Sequence, residues 1–271
     1  MQNLALSTIG FLHIDEISSS KNEPDWLKEY RKNSLSVYQK LPLETSPLYN
    51  KYTDANKMDP EQVSLTINSD KSVPEFLTNR LKELANETCI VQIGSNIHKI
   101  NLPDELQKKG LVISSIDDAL KNYTNIIQKT LESTNSKEDK YTALNNAAFN
   151  SGIFIYVPRN LILEKPIHIV SSLSVDGAST ISRNVIVTED NSKASIVQEL
   201  YAPKTSHQQA YLELLNVSVG QNSQLDGTTL QIMDNSAVNF STRKSNIAQD
   251  GKINWYLGLF GAMLSRYRID Y

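Results

Sequence analysis

From about residue 153 the chain repeats one unit, a strand, a tight polar corner and another strand, and no feature constrains its fold more. The corners read Glu189-Asp190-Asn191-Ser192, Gly220-Gln221-Asn222-Ser223, Met233-Asp234-Asn235-Ser236 and Ala248-Gln249-Asp250-Gly251. Each supplies a short Asn or Asp that tolerates left-handed backbone and can hydrogen-bond its own main chain. Between them run alternating segments rich in β-branched and aromatic residues, at 184–188, 195–201, 211–219, 224–233, 237–247 and 252–260, which read as strands. Asn191 and Asn222 are 31 residues apart, while Asn222 to Asn235 is 13 and Asn235 to Asp250 is 15. Two corners make one period, so the chain winds around an axis. Imperfect repeats that stack only on their neighbours are the signature of a solenoid. A β-sandwich would reverse at each corner and more often favour Asn-Gly or Asp-Gly there, yet only Asp176-Gly177, Asp226-Gly227 and Asp250-Gly251 offer that dipeptide, and Asp226-Gly227 lies inside an alternating run. The expected fold is mainly β, a parallel β-helix over 141–271. A helical segment (1–60) and a small α/β unit with a linker (61–140) precede it.

At 271 residues the chain can bury a sizeable core without a covalent staple. Lys plus Arg number 27 against 30 for Asp plus Glu, and no stretch is strongly basic. A nucleic-acid or anionic-membrane partner would require a clustered positive face. Cys89 is the sole cysteine, so no internal disulfide or Cys-rich metal framework can form. Met1 to Ser20 lacks the basic start of a signal peptide, and the apolar run Trp255 to Leu264 is about half of a bilayer-spanning length. A cytoplasmic protein is expected.

In the N-terminal half, Glu23-Pro24-Asp25 precedes a helical run with Trp26, Leu27, Tyr30, Val37, Tyr38 and Leu41 on one face, stopped by Pro42. Residues 43–57 carry no period and read as a connector. Ser72 and Glu75 form a capping box for a helix through Leu77, Leu81 and Leu84. A strand starts at Cys89, Gly110 closes a short helix, and Ser115 with Asp118 opens a helix carrying Ile116, Leu120, Tyr123, Ile127 and Leu131. The wholly polar stretch 132–140 reads as a solvated linker before a helix at 141–149.

Several of these segments carry a resemblance. They are Leu144-Asn145-Asn146-Ala147, then Gly152-Ile153-Phe154-Ile155-Tyr156-Val157-Pro158 and Leu163-Glu164-Lys165-Pro166-Ile167. Arg183-Asn184-Val185-Ile186-Val187, Ala194-Ser195-Ile196-Val197-Gln198-Glu199, and Asn254-Trp255 ahead of Gly261-Ala262-Met263-Leu264-Ser265-Arg266 continue the series. Glu23-Pro24-Asp25-Trp26-Leu27 with Arg31 belongs to the same ordered set. Together they resemble the SufB/SufD family of iron-sulfur cluster assembly scaffold proteins. The resemblance implies a right-handed β-helix working with a SufB-like paralogue and a SufC-like ABC-type ATPase. The single, upstream cysteine points to the SufD-like member, which would bind no cofactor of its own; the cluster belongs to the assembled complex, and flavin is left open. Family members continue past residue 271 into further turns, a Cys/Ser-His-Gly motif and an ATPase-docking segment, so a C-terminally truncated chain is expected.

Candidate site residues are sparse. Arg183, Gln231 and Arg243 each fall in an alternating strand where a polar side chain either faces the interior of the coil, lining a polar channel, or faces solvent. His13, His98, His168 and His207 are dispersed without ligand spacing, and Cys89 reads as a packed thiol. Gly94-Ser95-Asn96 lacks the further glycines of a dinucleotide loop, and no Gly-x-Ser-x-Gly elbow occurs. The leading expectation is therefore a scaffold with no catalytic residue. Two alternatives stay open: a β-helical carbohydrate-active enzyme, which wants carboxylates at matching positions on consecutive turns, and an unrelated solenoid interaction module.

Overall fold

The computed structural model describes residues 4–43, 53–65, 71–175 and 177–271. Most of the expected connector therefore lies outside the described residues. The chain begins with strand β1 (Leu4–Ala5), helices α1 (Phe11–Ser20) and α2 (Asp25–Lys40), and strand β2 (Ser64–Leu65), which pairs antiparallel with β1. Helix α3 (Thr78–Glu83), strands β3 (Cys89–Ile93) and β4 (Asn96–Asn101), helix α4 (Asp104–Lys108) and strand β5 (Val112–Ser115) follow. Helices α5 (Ile116–Asn122), α6 (Thr124–Glu132) and α7 (Lys140–Ala148) lead into the repeats. The repeats are β6 (Ile153–Val157), β7 (Ile167–Ser172), β8 (Thr180–Thr188), β9 (Lys193–Ala202), β10 (Gln209–Val219), β11 (Gln224–Met233), β12 (Ala237–Ile247), β13 (Lys252–Gly261) and β14 (Leu264–Asp270).

Consecutive repeat strands alternate between two six-stranded sheets, ordered β14-β12-β10-β8-β6-β5 and β13-β11-β9-β7-β3-β4. Within the repeats every pairing is parallel, because each turn brings the chain back in the same direction one layer along. The architecture is the expected parallel β-solenoid. Strands β3 and β5 extend its two sheets, with β4 and β5 added antiparallel.

The corners do what their residues suggest. Asn160, Asn191, Asn222 and Asp250 all adopt left-handed backbone, at φ of 65°, 56°, 55° and 57°, a region that short Asn and Asp side chains tolerate best after Gly. Stacked a turn apart, they form an amide ladder: Asn191 Nδ2 donates to Asn160 Oδ1 at 3.2 Å and Asn222 Nδ2 to Asn191 Oδ1 at 3.3 Å. The corner at 233–236 uses another device, with Asp234 Oδ1 accepting from the Ser236 N–H at 2.8 Å.

The two sheets differ in what covers them. Helices α1, α2, α5, α6 and α7 bury Ile14, Leu27, Leu35, Ile127 and Leu144 against Ile181, Val185, Leu212, Val238 and Phe240. These sheet residues lie on the outer face of the sheet containing β8, β10 and β12, here called the covered sheet. On the other, the open sheet, the described residues that pack on the outer face at Val91 and Val170 come from α3, its flanking turns and Val73 just before them. Between the sheets, the coil interior packs Ile155, Ile169, Ile186, Ile196, Leu215 and Val217.

One helix is added and two expectations are corrected. Helix α1, unread in the sequence, seals the helical layer with Ile14 and Ile17. The buried stripe of α2 runs through Leu27, Arg31, Ser34 and Leu35, and Val37 is only partly buried. A charged residue inside hides such a stripe from hydropathy. The segment 132–140 is not a solvated linker: Thr134 and Asp139 are buried, and Glu138 pairs with Lys244 and Arg268. Its polar side chains serve buried partners, so composition alone misplaced it.

Candidate functional site

Polar side chains form a file through the interior of the coil. On the covered sheet, β10 alternates so that Glu213 points inward alongside Leu215 and Val217, and its side chain is fully buried. Burial of a carboxylate is tolerated when its lone pairs are filled. Here Asn184 Nδ2 and Gln198 Nε2 donate to Oε1 at 2.9 and 2.5 Å, Ser241 Oγ donates to Oε2 at 2.5 Å, and Arg243 Nη2 stands 3.9 Å away. Arg243 Nη2 also donates to Gln198 Oε1 at 2.9 Å and to Thr229 Oγ1 at 2.7 Å, from the opposite sheet. The file thus joins both sheets over successive turns.

The guanidinium of Arg243 is held by aromatic faces as well, with its carbon 4.5 Å from the Trp255 ring centroid and 5.5 Å from that of Tyr267. Such contacts suit a buried cation with few hydrogen-bond partners. Trp255 in turn explains Gly227, its register partner on β11: a Cβ at Gly227 would lie 2.1 Å from Trp255 Cζ3. Two residues beyond Thr229 along β11, Gln231 Nε2 donates to Ser265 Oγ at 2.8 Å while its Oε1 accepts from Asn239 Nδ2 at 2.7 Å. Asn239 Nδ2 also reaches Tyr267 Oη at 2.9 Å. Burial pushes the Tyr267 hydroxyl up from its ordinary range, Glu213 adding to it.

The structure therefore brings Arg243 and Gln231 into the coil. Arg183 is equally buried but faces the other way, out of the covered sheet toward the helices. Its Nη1 donates to Asn146 Oδ1 at 2.5 Å and its Nη2 to Thr134 Oγ1 at 3.0 Å. Burial, followed by the nearby Arg31 charge, pushes its pKa down. Both faces of β8 are buried, so alternation could not tell which side Arg183 takes. Glu213, Gln198 and Asn184 were missed. The available signal was Glu213 sharing strand parity with Leu215, Val217 and Val219, an acid on an apolar face.

The file is closed. A cavity of about 10 Å³ beside Asn184, Gln198 and Trp255 has room for on the order of one water. With three donors on its two oxygens from three other strands, Glu213 is arranged to hold strands in register. Among the described residues no group of three or more His, Cys, Asp or Glu is placed to hold a metal ion. His13 Nδ1 accepts from the Gly10 N–H at 3.1 Å, while His98 and His207 are exposed. Cys89 is fully buried in an apolar cluster with Leu77, Leu84 and Val170, and burial raises its pKa. Gly94 makes the β3–β4 turn at φ 55°. No helix among the described residues is long and apolar enough to cross a membrane.

Carboxylates also fail to stack. In the parallel registers, Glu213 is flanked by Ser182 and Ser241, Asp226 by Ser195 and Asn254, and Glu199 is paired with Leu230. A surface groove of about 420 Å³ between α6 and the covered sheet is lined by Lys129, Thr130, Asn216 and Lys244. Lys244 is committed there to Glu138 and Asp270.

Comparison with known families finds a match along almost the whole chain. Residues 13–169 match the SufBD protein N-terminal region, and residues 170–271 match the SufBD core domain of SUF-system FeS cluster assembly. The chain belongs to the SufBD family. This SufBD protein is 25% identical over 269 residues to an iron-sulfur cluster assembly SufBD family protein of Staphylococcus aureus strain USA300. It is 24% identical over 268 residues to one of Staphylococcus saprophyticus. Each match covers 93% of this chain and 57% of the relative. The two family regions meet within β7, inside the solenoid, so both contribute strands to the coil.

Proposed function

We propose that this SufBD protein is a non-catalytic, SufD-like scaffold subunit for iron-sulfur cluster assembly. It acts in the cytoplasm with a SufB-like paralogue and a SufC-like ATPase. The observation that carries the reading is the filled coil: Glu213, Gln198, Thr229 and Arg243 satisfy one another across the two sheets, so the interior serves as a strut. The SufD-like assignment rests on Cys89, the sole cysteine of these 271 residues, which is buried outside the coil interior and not offered as a cluster ligand. The unstacked carboxylates favour this reading over a carbohydrate-active enzyme, whose acid pair must face one bond.

The test is co-expression with a SufB-like chain and a SufC-like ATPase, followed by size measurement and iron and sulfide analysis. The chain should elute with the SufB-like partner, with iron and sulfide in that complex and neither held stoichiometrically by the isolated chain. Retention of a stoichiometric cluster by the isolated chain, or polysaccharide cleavage by it, would overturn the proposal.

A further inference from the structure

Helix α3 with its flanking 3-10 turns, Glu75–Leu77 and Leu84–Asn86, lies like a strap across the outer face of the open sheet at β3, β7 and β9. By itself it has little to hold it. α3 is six residues long with none buried, well below the length that sustains a helix in water. Its fully buried anchors are Leu77 and Leu84, one in each flanking turn, set among Cys89, Val91 and Val170, and Leu81 of α3 packs half-buried against the same cluster. Phe76 adds a ring contact with Tyr201 at 5.8 Å while remaining half exposed.

Beside this apolar contact stands one strong polar one. Glu199 points outward from β9, yet its side chain is only 3% exposed because the strap covers it. Arg80 donates to it in fork geometry, from Nε to Oε2 at 2.9 Å and from Nη2 to Oε1 at 2.6 Å, and Tyr201 Oη donates to Oε2 at 2.7 Å. Burial alone would raise the Glu199 carboxyl, but the Arg80 and Tyr201 bonds hold it below its ordinary range. His168 Nδ1 lies 3.8 Å from Oε1 and adds a charge only when protonated. With the strap closed, Glu199 is a buried charge compensated by Arg80; with it open, water can solvate the carboxylate. Closure therefore requires the ion pair, because without Arg80 the closed strap would leave Glu199 a buried and uncompensated charge, while opening the strap returns it to water.

We propose that residues 75–86 form a latched strap that opens as a unit under native conditions, with Arg80–Glu199 as its latch, uncovering the β3, β7 and β9 face. Cys89, the sole cysteine, lies under the strap and reports on opening. The experiment is maleimide labelling of the native 271-residue chain across low urea concentrations. Labelling should proceed at a rate nearly independent of urea until the unfolding transition, as local opening exposes little surface. Arg80→Ala should raise that rate on the order of 10- to 100-fold, while the urea midpoint by circular dichroism moves far less. Glu83→Ala removes the exposed partner of Arg80 and leaves the buried pair intact, so its rate should match the wild type. A wild-type rate that climbs with urea at the slope of global unfolding from the lowest concentrations would overturn the proposal. So would an Arg80→Ala protein that labels at the wild-type rate. If Arg80→Ala fails to fold, the urea dependence of the wild type decides alone.

Discussion

Arg31 of α2 and Glu23 just before it form an ion pair whose side chains are 0% and 1% exposed. Arg31 Nε and Nη2 donate to the two carboxylate oxygens at 2.7 and 2.6 Å, Nη1 donates to the Ala147 carbonyl at 3.1 Å, and the guanidinium carbon lies 3.6 Å over the Phe149 ring. The pair thus pins the N-terminal helices to α7, which packs on the covered sheet. Glu23→Ala strands the guanidinium without its anion, and breaking a buried pair in this way costs about 3 to 5 kcal/mol. That is a large part of the roughly 5 to 15 kcal/mol by which domains are stable. The double variant Glu23→Leu with Arg31→Met removes both charges and should recover most of the loss, since an apolar replacement of a buried pair is often neutral. Urea unfolding followed by circular dichroism measures all three proteins. The pH dependence has a definite sign. Burial opposes ionisation of Glu23, but the Arg31 charge and hydrogen bonds hold its folded pKa below the ordinary 4.5. Its contribution is therefore fully present above about pH 4.5 and is lost as pH falls toward the folded value, so the wild type and Glu23→Ala should converge in acid. A Glu23→Ala protein within about 1 kcal/mol of the wild type at pH 7, or a double variant no better than the single, would refute this reasoning.

Gly227→Ala places a methyl group against the Trp255 ring, which Arg243 backs from the coil interior, and should cost about 1 to 3 kcal/mol by overpacking; an unchanged urea midpoint would show that the ring moves freely. Asn191→Ala puts a β-carbon into left-handed backbone and breaks the amide ladder, for a loss of about 1 to 2 kcal/mol, whereas Asn191→Gly should lose less; equal losses would mean that the ladder bonds matter more than the backbone. Leu230 faces out of the open sheet while Thr229 and Gln231 face in, so Leu230→Asp should cost under about 1 kcal/mol and Leu225→Asp several. Thermal melts would compare the two, and the reverse ranking would mean that the strand's facing is misassigned.

The sequence by itself determined the solenoid. Left-handed backbone is cheap for Asn and Asp, and a 31-residue spacing between such residues puts them at the same corner of successive turns. Strands β10 to β13, the Gly110 helix end and the Ser115 cap, whose Oγ accepts from the Asp118 N–H at 3.0 Å, were legible for the same local reason. Where both faces of a strand are buried, local pattern loses its meaning. Arg183 and Arg243 occupy similar alternating runs, yet one bonds the helical layer and the other the coil interior, because the covered sheet is packed on both sides. The polar segment 132–140 likewise looks solvated until Arg183, Lys244 and Arg268 are seen to need Thr134, Glu138 and Asp139. Glu213 drew no notice in the sequence, and its partners Asn184, Gln198 and Ser241 come from three other strands, two of them on neighbouring turns of its own sheet and one on the sheet opposite. Tertiary structure alone decided these matters, because a buried charge is placed by the partners that satisfy it, and those partners are distant in the chain.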